Sequence, residues 1–307
     1  MNSSVGSEIG ERPGFRSGFI AVLGLPNSGK STLINAFFDR QPLIVSAKPQ
    51  TSRFQVRCIS TTDERQAILV DTPGWHAEGR TRGKFMRREI ARSVEGTDAT
   101  LFVVDAARPQ VERVRYAWGV LLKDSGAPVV LVLNKLDLVG RGKLPELLDK
   151  LCKIFEPKEI VPVSALKKEN LLELDRVVTS LLPEGPLLYP PDTQIDKPDE
   201  FLFGEFIREQ VYRVAREEVP FSCAVHVETV EQGEASVRIE AELLVERDSQ
   251  KAILIGAAGQ NISKIRTLAR DRIRRFTGGK VQLELRVKVH ARWASDEKLL
   301  ERMGHSV

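Results

Sequence analysis

At 307 residues the chain is long enough for two domains, and its 42% apolar and 29% charged residues are typical of a globular protein. Its net charge of +4, from 46 basic and 42 acidic residues, is too small to indicate nucleic-acid binding unless the basic residues cluster. The three cysteines lie far apart without a CxxC pair, which argues against a disulfide framework or a zinc site and indicates a cytoplasmic protein.

The first 17 residues contain several glycines and serines and lack the apolar segment of a secretory signal, so we expect a disordered tail over 1–17. Short apolar runs then alternate with segments of helical spacing, which predicts an α/β domain over 18–183 with a mostly parallel sheet and helices on both faces. The predicted strands are 19–23, 55–60, 67–71, 100–105, 129–134 and 160–163, with 55–60 antiparallel at the sheet edge. The predicted helices are 31–38, 83–94, 111–122, 144–155 and 170–182.

Residues 184–201 are rich in proline and aspartate and have no periodicity, so we expect a linker there. A different order of elements follows over 202–307. The predicted elements are a helix at 203–217, strands at 224–229 and 235–245, helices at 249–255 and 261–276, and a strand at 281–289. This order predicts a compact α+β domain with a C-terminal extension.

The segment "GLPNSGKS" at residues 24–31 follows the first predicted strand and opens the first helix, as the pattern GxxxxGK[ST] requires. In such a loop backbone N–H groups surround phosphate oxygens, the lysine reaches the β- and γ-phosphates, and the hydroxyl binds Mg²⁺. The candidate phosphate-binding residues here are Gly24, Asn27, Ser28, Gly29, Lys30, Ser31 and Thr32.

The segment "DTPG" at residues 71–74 ends the next predicted parallel strand. Asp71 is placed to hold Mg²⁺ through water together with Ser31, and the Gly74 N–H is placed to meet the γ-phosphate. By itself this tetrapeptide is equally consistent with a proline turn in a loop.

The segment "NKLD" at residues 134–137 ends another strand, and "VSAL" at residues 163–166 follows the last one. The Asp137 carboxylate matches the two donors of guanine, N1–H and the 2-amino group, which adenine lacks as a pair. The Ala165 N–H is placed to contact guanine O6. The candidate guanine-binding residues are Asn134, Lys135, Asp137, Ser164 and Ala165.

These four segments occur in the order and at the strand ends where doubly wound sheets bind ligands, and together they resemble the Ras-like P-loop GTPases. The resemblance implies GTP and GDP as ligands and places a first switch at "KPQTSRF", residues 48–54. The implied switch residues are Gln50, Thr51, Ser52 and Arg53, with the hydroxyl of either Thr51 or Ser52 on Mg²⁺.

Trp75 stands where many such GTPases have a glutamine that orients the attacking water, and an indole cannot take that role. The sequence therefore identifies no catalytic side chain. Related GTPases with an apolar residue at this position use a P-loop asparagine to hold a potassium ion near the phosphates. The resemblance thus implies K⁺ at Asn27, where a cation would offset transition-state charge.

Eight basic and two acidic residues lie between positions 247 and 275, a local charge of +6 that exceeds the +4 of the whole chain. Within this cluster "GAAG", residues 256–259, joins two predicted helices beside a sheet, which resembles a type II KH RNA-binding domain. KH turns usually contain a basic residue, whereas both middle residues here are alanine. The candidate RNA-binding residues are Lys251, Ile255, Gly256, Ala257, Ala258, Gly259, Ile262, Lys264 and Arg266.

A P-loop GTPase domain followed by a KH domain, together with "LLVERDSQKAILIG" and "LELRVKVHARWASDEKLL", resembles the Era family of bacterial ribosome-assembly GTPases. The resemblance implies GTP-controlled binding of 16S ribosomal RNA near its 3′ end during small-subunit maturation. It also implies a monomer with peripheral contact to the cytoplasmic face of the inner membrane. Two alternatives stay open: a KH-like module that docks proteins without RNA, and a metabolic P-loop phosphotransferase, which "NKLD" disfavours.

Overall fold

The computed structural model of the chain describes residues 13–45, 55–72, 94–122, 126–140, 142–215 and 219–303. The chain divides into two compact units, with boundaries between residues 39 and 40, 51 and 52, and 196 and 197. Among the described residues, no helix has both the length and the apolar character that a membrane crossing requires.

The first unit is built on a six-stranded sheet in the order β2-β3-β1-β4-β5-β6. Its strands are β1 (Arg16–Gly24), β2 (Val56–Thr61), β3 (Arg65–Asp71), β4 (Ala99–Asp105), β5 (Val129–Asn134) and β6 (Glu159–Pro162). All neighbouring pairs are parallel except β2 with β3, which is antiparallel and places β2 at one edge. The mostly parallel sheet with one antiparallel edge strand is confirmed.

Four helices of the first unit lie within the described residues: α1 (Lys30–Ala36), α2 (Val111–Leu121), α3 (Leu144–Cys152) and α4 (Leu171–Leu181). The predicted helix over 83–94 lies outside the described residues except for Val94. Helix α3 ends three residues earlier than predicted, yet Phe155 is 3% exposed and packs in the core with Phe102 and Leu151. The apolar spacing continues into a buried turn after the helix, so periodicity alone overestimated the length of the helix.

Most of the segment that the sequence predicts as a linker lies against the first unit. The backbone N–H of Ile59 in β2 donates to Gln194 O at 3.0 Å, and the N–H of Asp196 donates to Arg57 O at 3.0 Å. The Gln66 amide also donates to Tyr189 O at 2.9 Å and accepts from Leu188 N at 2.7 Å. The bonds at Ile59 and Arg57 satisfy backbone groups of the edge strand β2, which would otherwise be open to pairing with another chain.

The second unit contains a three-stranded sheet and four helices in its described part. The elements are α5 (Asp199–Val214), β7 (Ala224–Gln232), β8 (Ser236–Val245), α6 (Asp248–Ile255), α7 (Gln260–Thr277), β9 (Lys280–Val289) and α8 (Glu297–Arg302). β7 pairs antiparallel with β8, and β8 pairs parallel with β9. This matches the predicted order of an α+β domain with a C-terminal extension. Helix α5 begins at Asp199, earlier than predicted, with Pro198 before it and two acids in its first turn.

Residues 40–45 belong to the second unit, where a buried ion pair holds them. Arg272 Nε lies 3.3 Å from Glu209 Oε2, and both side chains are less than a tenth exposed. Arg272 Nη2 donates to Gln41 O at 2.6 Å, and Glu209 Oε1 accepts from the Val45 N–H at 3.2 Å. Arg272 therefore has a packing role and does not contribute to a basic surface.

Candidate functional site

The P-loop connects the end of β1 at Gly24 to the start of α1 at Lys30. Gly24 and Gly29 have φ values of 149° and 95°, which residues other than glycine rarely adopt. A Cβ atom on Gly24 would lie 2.3 Å from Val103 O, and one on Gly29 would lie 2.3 Å from Asn134 Nδ2. Both glycines are therefore required by backbone conformation and by the close approach of neighbouring segments.

Lys30 is almost completely buried beneath this loop. Its ammonium donates to Gly24 O and Leu25 O, both at 3.2 Å. Burial lowers the pKa of Lys30 from 10.5 to about 8, while the negative charge of Asp71 opposes that shift. An anion bound at the loop would stabilise an ammonium that is desolvated in this way. A loop of this kind presents backbone N–H groups to phosphate oxygens, so phosphate is the anion that fits it.

The candidate magnesium ligands of α1 and β3 lie together. Ser31 Oγ donates to Asp71 Oδ2 at 3.2 Å, so a hydroxyl and a carboxylate share one site at the carboxyl end of the sheet. Oxygen ligands of this kind fit Mg²⁺, which binds one or two protein groups and keeps several waters. The nearby Thr72 hydroxyl donates to Val22 O at 2.9 Å and fixes the end of β3, a contact that the sequence did not indicate.

One amide connects the phosphate loop to both guanine segments. Asn134 Nδ2 donates to Ser28 O at 3.0 Å, and its Oδ1 accepts from the N–H groups of Lys135 and Ala165 at 2.8 and 3.0 Å. Asn134 is 2% exposed, so these bonds are shielded from water. Three segments far apart in sequence thus form a single pocket.

Lys135 and Asp137 extend the same pocket. The Lys135 ammonium donates to Asn27 O at 2.6 Å and to Asp105 Oδ2 at 2.7 Å, and Ser164 Oγ donates to Asp137 Oδ1 at 2.6 Å. The Asp137 residue is exposed, so its carboxylate is accessible to a base. The sequence analysis did not identify Asp105 as a site residue, although it ends a parallel strand just as Asp71 and Asn134 do.

Several predicted site residues lie outside the described part of the chain, namely Gln50, Thr51, Ser52, Arg53, Gly74 and Trp75. Thr32 is half-buried in the first turn of α1, next to the P-loop.

In the second unit the GAAG turn lies between α6 and α7. Gly256, Ala258 and Gly259 have positive φ values of 72°, 48° and 77°. A Cβ atom on Gly256 would lie 2.7 Å from Cγ of Asn261, whose amide donates to Ile253 O at 2.8 Å. Asn261, which the sequence did not single out, therefore ties the two helices together across the turn.

The predicted RNA-binding residues differ in accessibility. Ala257, Ala258, Lys264 and Arg266 are exposed, although Arg266 Nη2 also donates to Leu285 O at 3.3 Å. Lys251, Ile255, Gly256, Gly259 and Ile262 are half-buried. Ile265 is completely buried in the core, so the apolar surface beside the turn consists of the other isoleucines.

Known proteins resemble the chain over nearly its whole length. The family models for a 50S ribosome-binding GTPase and for a KH domain match residues 19–135 and 218–294. GTPase Era of Geobacter sp. (strain M21) is 40% identical over 294 residues, which are 95% of this chain and 98% of that protein.

Two solved structures are similar to this chain, each with 35% identity and covering 95% of this chain and 100% of its own. One is Era in complex with MgGDPNP and nucleotides 1506–1542 of 16S ribosomal RNA, with a TM-score of 0.86. The other is an Aquifex aeolicus Era variant bound to GDP and AlF4⁻, with a TM-score of 0.87. The chain belongs to the GTPase Era family, and it combines a P-loop GTPase domain with a KH domain.

Proposed function

We propose that this chain binds and hydrolyses GTP in its first unit and binds 16S ribosomal RNA near the 3′ end through its second unit. Through GTP hydrolysis coupled to RNA binding, the chain would assist maturation of the small ribosomal subunit. The observation that carries the proposal is the pocket around Asn134, where one buried amide joins the phosphate loop to the guanine segments. The relative crystallised with MgGDPNP and a 16S fragment supports the same pairing of ligands.

The roles proposed for the nucleotide site follow its geometry. Phosphate oxygens contact the backbone of the P-loop and the Lys30 ammonium, Mg²⁺ is held by Ser31 and Asp71, and guanine is read by Asp137. The full proposed set is Gly24, Asn27, Ser28, Gly29, Lys30, Ser31, Thr32 and Gly74 for phosphate, Asn134, Lys135, Asp137, Ser164 and Ala165 for guanine, and Thr51 or Ser52 as a further magnesium ligand.

The roles proposed for the KH domain rest on exposure and charge. Single-stranded RNA passes over the exposed turn at Ala257 and Ala258, where glycines permit close approach of the phosphate backbone. Lys251, Lys264 and Arg266 supply the positive charge that the turn itself lacks, and Ile255 and Ile262 contact bases. We assign residues 18–183 to the GTPase domain, 184–201 to the connection and 202–307 to the KH domain with its extension.

Potassium is the proposed activator of hydrolysis. Asn27 is exposed at the P-loop with a φ of 61°, and its backbone carbonyl accepts from Lys135, which leaves its side-chain amide as the group proposed to hold the ion. A cation held there replaces the charge that an arginine finger supplies in other GTPases. GTP turnover should be faster in KCl than in NaCl for the native chain. Equal rates in the two salts, with Asn27→Ala harmless, would exclude this role.

The decisive experiment is RNA crosslinking in cells with the native chain and with Lys30→Ala. Crosslinks should concentrate at the 3′ end of the small-subunit RNA and decrease in the variant, because RNA affinity and nucleotide state are coupled. Crosslinks scattered elsewhere would contradict the RNA assignment, and an absence of salt-dependent RNA binding would favour the protein-docking alternative. Displacement of GTP by ATP would contradict the guanine assignment.

We further propose that the chain is a cytoplasmic monomer with peripheral contact to the inner membrane. The family resemblance supports this proposal. Light scattering of the purified chain tests the oligomeric state, and cell fractionation at low and high salt tests the membrane contact, which would be released at high salt if it is electrostatic.

A further inference from the structure

One face of the sheet in the second unit packs on helices. The other face carries polar side chains beside a small apolar cluster, in which Ala224 and Leu244 are buried with Trp293 and Met303. Val227, Ala241 and Leu243 are buried on the packed face. Because side chains alternate along a strand, His226 and Glu242 lie on the other face. These two residues are direct partners in the antiparallel pairing of β7 with β8, which places their Cβ atoms about 5 Å apart.

A β-bulge adds a third side chain to this pair. The register of β7 against β8 shifts between Val227 and Thr229, so Glu228 is the extra residue of the bulge. A bulge redirects the side chain of its extra residue. One potential ligand atom from each of His226, Glu228 and Glu242 lies within 4.8 Å of the other two.

The spacing of this triad fits an ion between the side chains better than direct contacts among them. Within the described part of the chain, no ion pair of 4.0 Å or less joins His226 to either glutamate. Around a tetrahedral ion with bonds of about 2.1 Å, ligand atoms lie about 3.4 Å apart. Side-chain rotations that move each atom by about 1 Å would reach this geometry. Glu228 is exposed and His226 is half-buried, whereas the Glu242 side chain is 14% exposed, so most of the movement would come from Glu228 and His226.

The unpaired charge of Glu228 favours a cation. Within the described residues Glu242 has two basic neighbours on β9: Lys288, whose ammonium lies 3.1 Å from its carboxylate, and its register partner Arg286, which pairs with Glu284 at 3.6 Å. Glu228 has no ion-pair partner within the described residues. The Lys288 side chain is 57% exposed and can turn into solvent when a second cation arrives.

We propose that His226, Glu228 and Glu242 form a binding site for one divalent transition-metal ion of the Zn²⁺ class, with water completing its coordination. An imidazole nitrogen with two carboxylates suits Zn²⁺, Co²⁺ or Ni²⁺, whereas Mg²⁺ prefers oxygen ligands alone. The ion joins β7 to β8 at the bulge, where the ladder of backbone hydrogen bonds is interrupted. It is separate from the magnesium site of the GTPase domain in both ligands and selectivity.

The test uses the full-length chain with GDP and excess Mg²⁺, so that the nucleotide site is occupied. Co²⁺ is the probe, because its visible absorption reports inner-sphere coordination, and calorimetry gives the stoichiometry. One equivalent of Co²⁺ should bind, and His226→Gln or Glu242→Gln should weaken binding by about tenfold or more. Zn²⁺ should displace the Co²⁺, whereas further Mg²⁺ should not.

Matched controls come from the same unit. Glu240→Gln alters a half-buried glutamate on the same face of β8, which pairs with Arg238, and His290→Gln alters the histidine directly after β9. Both variants should bind Co²⁺ like the native chain. Unchanged thermal unfolding without metal shows that each variant is folded. Co²⁺ binding that survives His226→Gln, or no binding beyond the nucleotide site, would overturn the proposal and leave Glu242 as the ion-pair partner of Lys288 alone.

Discussion

Lys135 and Asp105 form an ion pair at the nucleotide pocket, with Nζ of the lysine 2.7 Å from Oδ2 of the aspartate. The other carboxylate oxygen, Oδ1, accepts from the N–H groups of Ala107 and Arg108 at 3.0 and 3.1 Å. Because both oxygens are engaged, Asp105 is held at the end of β4 and fixes the direction of the lysine. The same ammonium reaches Asn27 O, so Asp105 supports the contact between the guanine segment and the P-loop.

Replacing Asp105 with asparagine should weaken GDP and GTP binding by roughly tenfold, since a hydrogen bond to a charged group contributes about 1.5 kcal/mol. The loss should be similar for both nucleotides, because Lys135 belongs to the guanine segment, which GDP and GTP share. Calorimetric titration measures the affinities of the native chain and the variant for both nucleotides. Asp149→Asn, which breaks an exposed ion pair between α3 and Lys153 directly after it, is the matched control and should leave affinity unchanged. An Asp105→Asn variant with native affinity would show that Lys135 needs no support.

Much of this site was predictable because its residues follow local rules. Each of the motifs at Gly24, Asp71 and Asn134 lies at the end of a parallel strand, and such strand ends meet at one edge of a sheet. Buried parallel strands have short, continuous apolar runs, so the predicted strands agree with β1 and β3–β6 to within three residues at each end. The motif spacing and the strand pattern therefore predict a single nucleotide pocket from the sequence alone.

Other contacts depend on tertiary packing that no local pattern encodes. Arg272 looks like part of a basic helix face in the sequence, and only its burial beside Glu209 reveals its packing role. Similarly, the proline-rich segment after residue 183 has no periodicity, yet its backbone pairs with the edge strand β2. The role of Asn261 in joining the two helices was not predicted, because an asparagine after a glycine turn is common in sequences. Its role depends on its close approach to Gly256, which only the structure shows.

The buried ammonium of Lys30 should make the stability of the nucleotide-free protein depend on pH. The folded state lowers the pKa of Lys30 to about 8 from 10.5, so between these values the unfolded chain binds the extra proton. The free energy of unfolding should therefore rise from pH 8 to 10.5, by up to about 3 kcal/mol from this group. Removing the charge with Lys30→Met should stabilise the nucleotide-free protein at neutral pH while abolishing nucleotide binding.

Denaturant unfolding across this pH range measures the effect as a difference between variants. The stability gap between Lys30→Met and the native chain should be largest near pH 7 and should narrow as pH rises towards 10.5. Lys153→Met removes an exposed lysine and should show no such trend, since that side chain is 72% exposed. A gap that stays constant with pH would mean that the desolvation of Lys30 is relieved in solution.

Gly29 should tolerate no side chain. In Gly29→Ala the new Cβ would meet the Asn134 amide at 2.3 Å, and that amide is held by three hydrogen bonds. Nucleotide affinity should fall by at least about tenfold, because the loss of one buried hydrogen bond alone costs about 1–3 kcal/mol. Gly96→Ala is the control, with a φ of 76° but no neighbour within 4 Å of the added atom. It should lower stability by about 1–2 kcal/mol and leave nucleotide binding intact.

The last prediction concerns the uncharged KH turn. Ala257 is exposed between two glycines of positive φ, so a lysine there would extend into solvent without disturbing Asn261. If RNA phosphates pass over the turn, Ala257→Lys should tighten binding of a single-stranded RNA with the small-subunit 3′ sequence. It should also steepen the dependence of log affinity on log salt by about 0.7 for one added phosphate contact. Gln282→Lys adds the same charge on the exposed face of β9 and should leave that slope unchanged. Equal slopes for all three proteins would mean that the RNA does not follow the backbone amides of the GAAG turn.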